Sequence, residues 1–337
     1  MNAKLLSAED RIRFELKSLY AAYGFEEYKL PEFEDFVPSQ GAEERILLNA
    51  GGRLCALKSD VTLSMVKNLA VSEGARKLFY DEKVYRKRPY GPGFSEVSQL
   101  GAEVMGDVDE VGETEICKLM TKTLSAAGGK YSLDVSHAGI VAKVIDNMGL
   151  TGAEYGFAAQ CLKDKNLHDF IRFSEQRRVG KDASSVFLQL TDMPDKTDEA
   201  LKRLKKISES LDISEETEEL ERICGLCGDC ACINFSAAGA EYYNGVIFKG
   251  YAEGNPRAVL YGGRYDKLFG AFGKRAHAMG FALYLGEICK RAQPEGLRDV
   301  KIIRYDARTA SEAIEKAEKL RALGNKVLLV RGEELRD

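Results

Sequence analysis

Gln99 and Glu103 stand four residues apart in the run Val97-Ser-Gln-Leu-Gly-Ala-Glu-Val-Met-Gly106. Side chains alternate faces along a strand, so both point the same way, together with Val97, Gly101 and Met105. Leu100, Ala102 and Val104 point to the opposite, apolar face. At ~3.3 Å per residue the amide and the carboxylate are about 13 Å apart along the backbone, a span from which they can converge on the two ends of one small polar molecule. The plain alternative is a half-buried strand whose polar face meets solvent.

Two other segments carry polar and aromatic groups beside glycine. In Tyr242-Tyr-Asn-Gly-Val-Ile-Phe248 a pair of tyrosines precedes Gly245, which suits a strand approached closely by a ligand. Tyr261-Gly-Gly-Arg-Tyr-Asp266 reads as a glycine turn bearing Arg264, Tyr265 and Asp266, with no dinucleotide or Walker fingerprint beside it. Asp60 and Thr62, in Lys58-Ser-Asp-Val-Thr62, open a predicted helix over 63–69. They either cap it or hold an ammonium group through charge-assisted hydrogen bonds. Cys224, Cys227, Cys230 and Cys232 have spacing compatible with a zinc or iron–sulfur site. The competing reading is a glycine-rich loop that uses cysteine as a small apolar residue, and the expectation adopted is no metal.

These groups need a scaffold. Ile12, Leu16, Leu19, Tyr20 and Tyr23 recur at helical spacing over residues 10–23, and Gly24 suits a left-handed stop. Extended segments follow over 53–57, 77–88 and 96–106, a local arrangement that favours mainly antiparallel pairing. From about 139 to 222 the pattern turns helical: Val141, Val144, Ile145 and Met148 share one face, and Ala200, Leu201, Leu204 and Ile207 share another. The apolar run 185–190 interrupts it. Strand signals return over 231–236 and 242–251. A strand over 301–304, a helix over 309–322 and a strand over 326–330 close the chain as one βαβ unit.

Among the 337 residues, 45% are apolar and 30% charged, the balance of an ordinary globular protein. A net charge of −4 argues against a long nucleic-acid footprint, despite the local cluster Arg86-Lys87-Arg88. No apolar run approaches the ~20 residues of a membrane span, and the first ten residues lack a secretory pattern. A cytoplasmic protein with mostly reduced cysteines is expected.

Taken together, the motifs resemble those of the histidyl-tRNA synthetases over roughly residues 8–290. Val84-Tyr-Arg86 followed by the 97–106 run resembles motif 2 with its histidine-family tail. Asn234-Phe-Ser followed by Glu241-Tyr-Tyr-Asn-Gly-Val-Ile-Phe248 resembles the second histidine signature. Tyr261 to Asp266, continuing to Gly280-Phe-Ala-Leu283, resembles the approach to motif 3, and Pro31 stands where the motif 1 proline belongs. The resemblance implies an α+β fold, a class II synthetase-like, mainly antiparallel sheet flanked by helices. It divides the chain into a histidine-binding domain, 1–298, with a mostly helical insertion at about 139–222, and a short C-terminal segment, 299–337, resembling the remnant of an anticodon-binding domain.

By the same resemblance Asp60, Thr62 and Gln99 receive the ammonium of histidine, Glu103 and Tyr242 bond its imidazole, Tyr265 lines the pocket, and Arg86 and Tyr243 complete the set. The departures matter as much. Ala238 occupies the position of an activating arginine, and Glu287 that of the motif 3 arginine which holds ATP phosphates. Lys87-Arg88 lacks the acidic residue expected after motif 2, and Lys58-Ser59 replaces an Arg-Pro pair, with Asp60 where glutamate is common. Adenylate formation needs cations at the transferring nucleotide, and losing one such donor typically costs ~10²–10³ in rate.

A chain that keeps the amino-acid pocket and loses activation resembles the regulatory-subunit family of ATP phosphoribosyltransferase. That resemblance implies no cofactor, histidine as a feedback effector in histidine biosynthesis, a short-form catalytic subunit as partner, and self-association as a homodimer. The rival is a synthetase-like enzyme making an aminoacyl-adenylate for tRNA or another acceptor.

Overall fold

The computed structural model describes residues 7–36, 45–70, 74–88, 91–126, 128–237, 242–289 and 300–332. The first helix, α1 (Ala8–Ala22), begins two residues before the periodic stretch because the Ser7 hydroxyl accepts the Asp10 amide. It ends at Gly24, whose φ of +77° is left-handed as expected. There follow β1 (Glu26–Glu27), β2 (Phe33–Asp35), β3 (Leu47–Ala50), β4 (Arg53–Leu57), α2 (Val61–Asn68), β5 (Arg76–Lys87), β6 (Phe94–Gly106), α3 (Glu110–Ala126) and β7 (Tyr131–His137).

A helical segment comes next: α4 (Ala138–Asp146), α5 (Ala153–Lys163), α6 (Leu167–Arg177), α7 (Lys181–Thr191), α8 (Thr197–Ser208) and α9 (Ser214–Cys227). The chain returns through β8 (Ala231–Ile233), β9 (Val246–Ala252), β10 (Leu260–Arg264), α10 (Asp266–Ala271), β11 (His277–Tyr284) and α11 (Leu285–Cys289). Last come β12 (Val300–Tyr305), α12 (Ala310–Ala322) and β13 (Lys326–Arg331), a βαβ unit with parallel strands. The proposed boundary at 298–299 falls outside the described residues.

Among the described residues, eight strands form one sheet in the order β1-β5-β6-β11-β10-β9-β7-β8. Only its outermost pairs, β1 with β5 and β7 with β8, are parallel. One face carries Leu100, Ala102 and Val104, packed with Leu16 and Tyr20 of α1 and with Ile116, Leu119 and Met120 of α3. Each such buried side chain contributes roughly 1.5–3 kcal/mol of transfer free energy. The insertion helices extend this core through Val144, Ile145, Leu204 and Ile207, the two faces read from periodicity. Beneath the other face a smaller cluster gathers α2, α10 and Tyr80. No helix among the described residues is long and apolar enough to cross a membrane.

Several local expectations are corrected. Residues 185–190 lie inside α7, because Phe187 and Leu190 are buried three apart on one helical face. The strand expected over 231–236 stops at Ile233 and gives way to a 3₁₀ turn at Phe235–Ala237. Tyr242 and Tyr243 precede β9 rather than lie in it. The Gly262-Gly263 pair is no turn but the middle of β10, where a methyl at 262 would sit 2.5 Å from the Gly280 carbonyl oxygen of the neighbouring strand.

Lys58 is fully buried. Its ammonium pairs with Glu82, and the other Glu82 oxygen accepts the Leu30 amide at 3.1 Å. Removing one partner of a buried pair strands the other charge. Lys58→Met is therefore expected to lower stability by ~3–5 kcal/mol in urea unfolding, and Lys58→Met with Glu82→Leu to recover most of that. A single variant as stable as the parent would disprove the pairing's role.

Candidate functional site

The face of the sheet opposite α1 and α3 holds a polar compartment. Glu103 enters it from β6, and in register opposite it on β11 is Gly280. An alanine methyl there would overlap the Glu103 carboxylate, so the glycine makes its room. Tyr80 on β5 faces Gly101 in the same way. Gln99 and Glu103 are buried, at 2% and 1% exposure, so this strand face looks into the protein and not into solvent.

The Glu103 carboxyl accepts from the Tyr265 hydroxyl at 2.7 Å and from the Thr62 hydroxyl at 3.4 Å. Burial pushes its pKa up to about 8, reinforced by the charge of Asp60 and opposed by those two bonds. Around neutral pH the group is a protonated carboxyl able to donate as well as accept. The buried Tyr80 hydroxyl makes no well-formed hydrogen bond among the described residues but stands close enough to Glu103 to favour its charged form, and burial and that carboxylate drive its own pKa upward.

Asp60 caps α2 as considered, and its second oxygen is taken by an ion pair within the chain. One oxygen caps α2 by accepting the Leu63 amide at 2.9 Å, while the other meets the Arg86 guanidinium at 3.2 Å. Arg86 also donates to the Ser59 carbonyl at 3.0 Å and the Tyr284 hydroxyl at 2.9 Å. The far end of α2 is pinned by Lys274, which donates to the carbonyls of Val66, Lys67 and Leu69. Tyr265 is held from both sides. Its neighbour Arg264 reaches Glu113 at 2.6 Å and Asp266 at 2.8 Å, and Asp266 accepts the Ala278 amide at 2.8 Å. Tyr242, Tyr243 and Tyr265 stack edgewise, 4.8–6.5 Å between ring centres.

All eight residues singled out in the sequence line this one compartment. Asp60, Thr62, Gln99 and Glu103 supply its polar groups; Arg86, Tyr242, Tyr243 and Tyr265 supply its cation and phenols. The free volume is about 30 Å³, one water's share of liquid. Outside it opens a cavity of about 480 Å³ that shares Asp60, Arg86, Tyr242 and Tyr243. Sequence reasoning passed over Tyr80, Tyr284, Lys163 and Lys249, which also line these spaces. Only Tyr80 left a trace, the glycine facing it across the strand pair.

The cysteines are arranged differently. Cys224 and Cys227 sit on the buried side of α9, Cys230 ends the following turn, and Cys232 lies in β8. No three potential ligands among the described residues stand where they could hold a metal. Burial lifts the Cys224 thiol to about 12 and Cys230 to about 11, the behaviour of packed thiols and not of ready thiolates. Ala238 lies outside the described residues. Glu287 sits in α11, and its backbone carbonyl accepts from Asn255 at 2.8 Å.

Comparison with known proteins agrees with this architecture. An ATP phosphoribosyltransferase regulatory subunit of Caldanaerobacter subterraneus is 26% identical over 95% of the chain and 88% of its own length. A solved structure described as an ATP phosphoribosyltransferase regulatory subunit/histidyl-tRNA synthetase from Bacillus halodurans superposes with a TM-score of 0.78, covering 98% of this chain and 90% of that one at 20% identity. A chain of the ATP phosphoribosyl transferase (HisG:HisZ) complex from Thermotoga maritima does so at 0.64, covering 82% and 97% at 17% identity. The family model described as histidyl-tRNA synthetase matches residues 4–288. With a class II synthetase-like sheet and this match over most of its length, the chain belongs to the histidyl-tRNA synthetase family.

Proposed function

We propose that the chain is a non-catalytic regulatory subunit of ATP phosphoribosyltransferase. It binds free histidine as a feedback effector and no cofactor, joins a short-form catalytic subunit in the cytoplasm, and self-associates as a homodimer. Residues 1–298 form the histidine-binding domain and 299–337 a C-terminal segment with a βαβ unit. The names of its relatives support the assembly. The observation that carries the ligand is the buried Glu103 carboxyl among phenols. An imidazole presents one donor and one acceptor, and a carboxyl protonated near neutrality can answer either. Such a site rejects isosteres that leave its buried polar groups unpaired.

The electrostatics oppose adenylation. By the family resemblance, Ala238 brings no charge to the place of an activating cation, and Glu287 puts a carboxylate where a cation would hold phosphate. Arg86 lines the outer cavity and is the feature favouring a synthetase-like enzyme. Histidine-dependent exchange of pyrophosphate into ATP separates the two readings, and none is expected.

The direct test is reconstitution with a short-form catalytic subunit. The two should co-purify, activity should depend on this chain, and histidine should suppress it. Coupling of ~1–3 kcal/mol predicts that histidine affinity differs roughly 5–150-fold between the free chain and the active complex. A catalytic subunit indifferent to this chain would refute the proposal.

A further inference from the structure

Among the described residues, the cavity outside the compartment carries more positive charge than its walls balance. Its described lining includes Arg86, Lys163 and Lys249 against one carboxylate, Asp60. Arg86 is already spent on Asp60, Ser59 and Tyr284. Lys249, half-buried on β9, donates to the Ser236 carbonyl at 3.1 Å and keeps donors to spare. Burial and the neighbouring charge of Lys163 depress its pKa, and Asp134 offsets this only in part. Asp134 is itself bonded by Asn234 at 2.8 Å and faces Lys165 as well. On the opposite wall the Glu287 charge acts on Tyr261. Two ammonium groups that line one cavity and repel each other form a receptor for an anion.

We propose that Lys249, assisted by Lys163, recognises the α-carboxylate of the amino acid held in the compartment, and so makes the site selective for an amino acid whose carboxylate is free. This rests on the histidine reading above. Asp60, Arg86, Tyr242 and Tyr243 border both spaces. A ligand whose ammonium meets Asp60 and whose ring lies toward Glu103 therefore turns its third substituent into the cavity, where Lys249 and Lys163 stand. The pair takes over the carboxylate from an arginine that this chain lacks at 238.

Calorimetry of the full chain with L-histidine, L-histidinol and L-histidinamide tests this, since the last two keep ring and amine but lose the anion. L-Histidine should bind roughly 10–100-fold more tightly than either, the range of a charged hydrogen bond. Lys249→Met should bring histidine down to the histidinol level while histidinol binding stays unchanged, which also shows the variant folded. Lys249→Arg should keep the preference, and Lys163→Met should reduce it. Equal affinities in the parent chain, or equal loss of both ligands in Lys249→Met, overturn the assignment while histidine binding itself stands. Failure of every ligand to bind the parent chain overturns both readings.

Discussion

Gly280→Ala is expected to abolish histidine binding in a chain that still folds. The alanine methyl would overlap the Glu103 carboxylate, and it would also lie 2.5 Å from the Ala102 carbonyl oxygen of the paired strand. The first clash is relieved only by expelling Glu103 from its position against Tyr265. Relief of the second requires β6 and β11 to spread locally, and overpacking of this kind costs about 1–3 kcal/mol. A domain of this size tolerates that loss, whereas the compartment does not tolerate losing its carboxyl. Gly286→Ala is the matched control, because nothing lies within 4 Å of a methyl added there. Calorimetric titration should give no heat for the first variant and parental affinity for the second. Parental affinity in Gly280→Ala would mean that the ligand never meets Glu103.

This dependence of a side chain on the glycine opposite it explains which parts of the site were legible from sequence. The alternation in 97–106 located Gln99 and Glu103, because burial of Leu100, Ala102 and Val104 fixes the strand's facing and a slip of one residue would invert it. Asp60 was legible as a cap, and the structure shows that cap on one oxygen and the Arg86 guanidinium on the other. The signatures around Tyr242 and Tyr265 came from family resemblance, not from periodicity.

What stayed hidden depends on chain order in space. Tyr284 reaches the site because β11 inserts between β6 and β10, a pairing that no local pattern announces. Lys163 comes from the end of α5 in the insertion and Lys249 from β9, 86 positions apart in sequence (249 − 163), so only the assembled fold makes them neighbours. The cysteine spacing by itself was compatible with a metal site and with a packed segment alike. Cys224 and Cys227 are one helical step apart and turn inward as core residues, while Cys232 lies on the next strand. Spacing along a helix and spacing along a loop look alike on paper.

The second large effect belongs to Glu103→Gln, and it concerns protons. In the folded chain Glu103 titrates at about 8 instead of the ordinary 4.5. Between those values the folded state holds a proton that the unfolded chain has released, so stability contributed by the neutral carboxyl is complete below about 4.5 and is lost as pH rises toward 8. Glutamine cannot ionise. The parent-minus-variant stability should therefore fall by roughly 1.4 kcal/mol per pH unit across that window, and the variant should be the more stable protein above it. Binding should follow a different profile. One proton shared between Glu103 and imidazole satisfies the pair, and the separated partners together carry one proton between the imidazole value of about 6.5 and the Glu103 value of about 8. Histidine affinity of the parent should thus be flat in that interval and decline up to tenfold per unit on either side. In Glu103→Gln the affinity should fall by roughly tenfold or more, and the alkaline limb should retreat to the titration of the ligand's own ammonium. Chemical unfolding and calorimetry at pH 5 to 9 measure both halves on the same two proteins. A variant that loses affinity but keeps the parental pH profile would place the titrating group elsewhere and return Glu103 to a purely steric role.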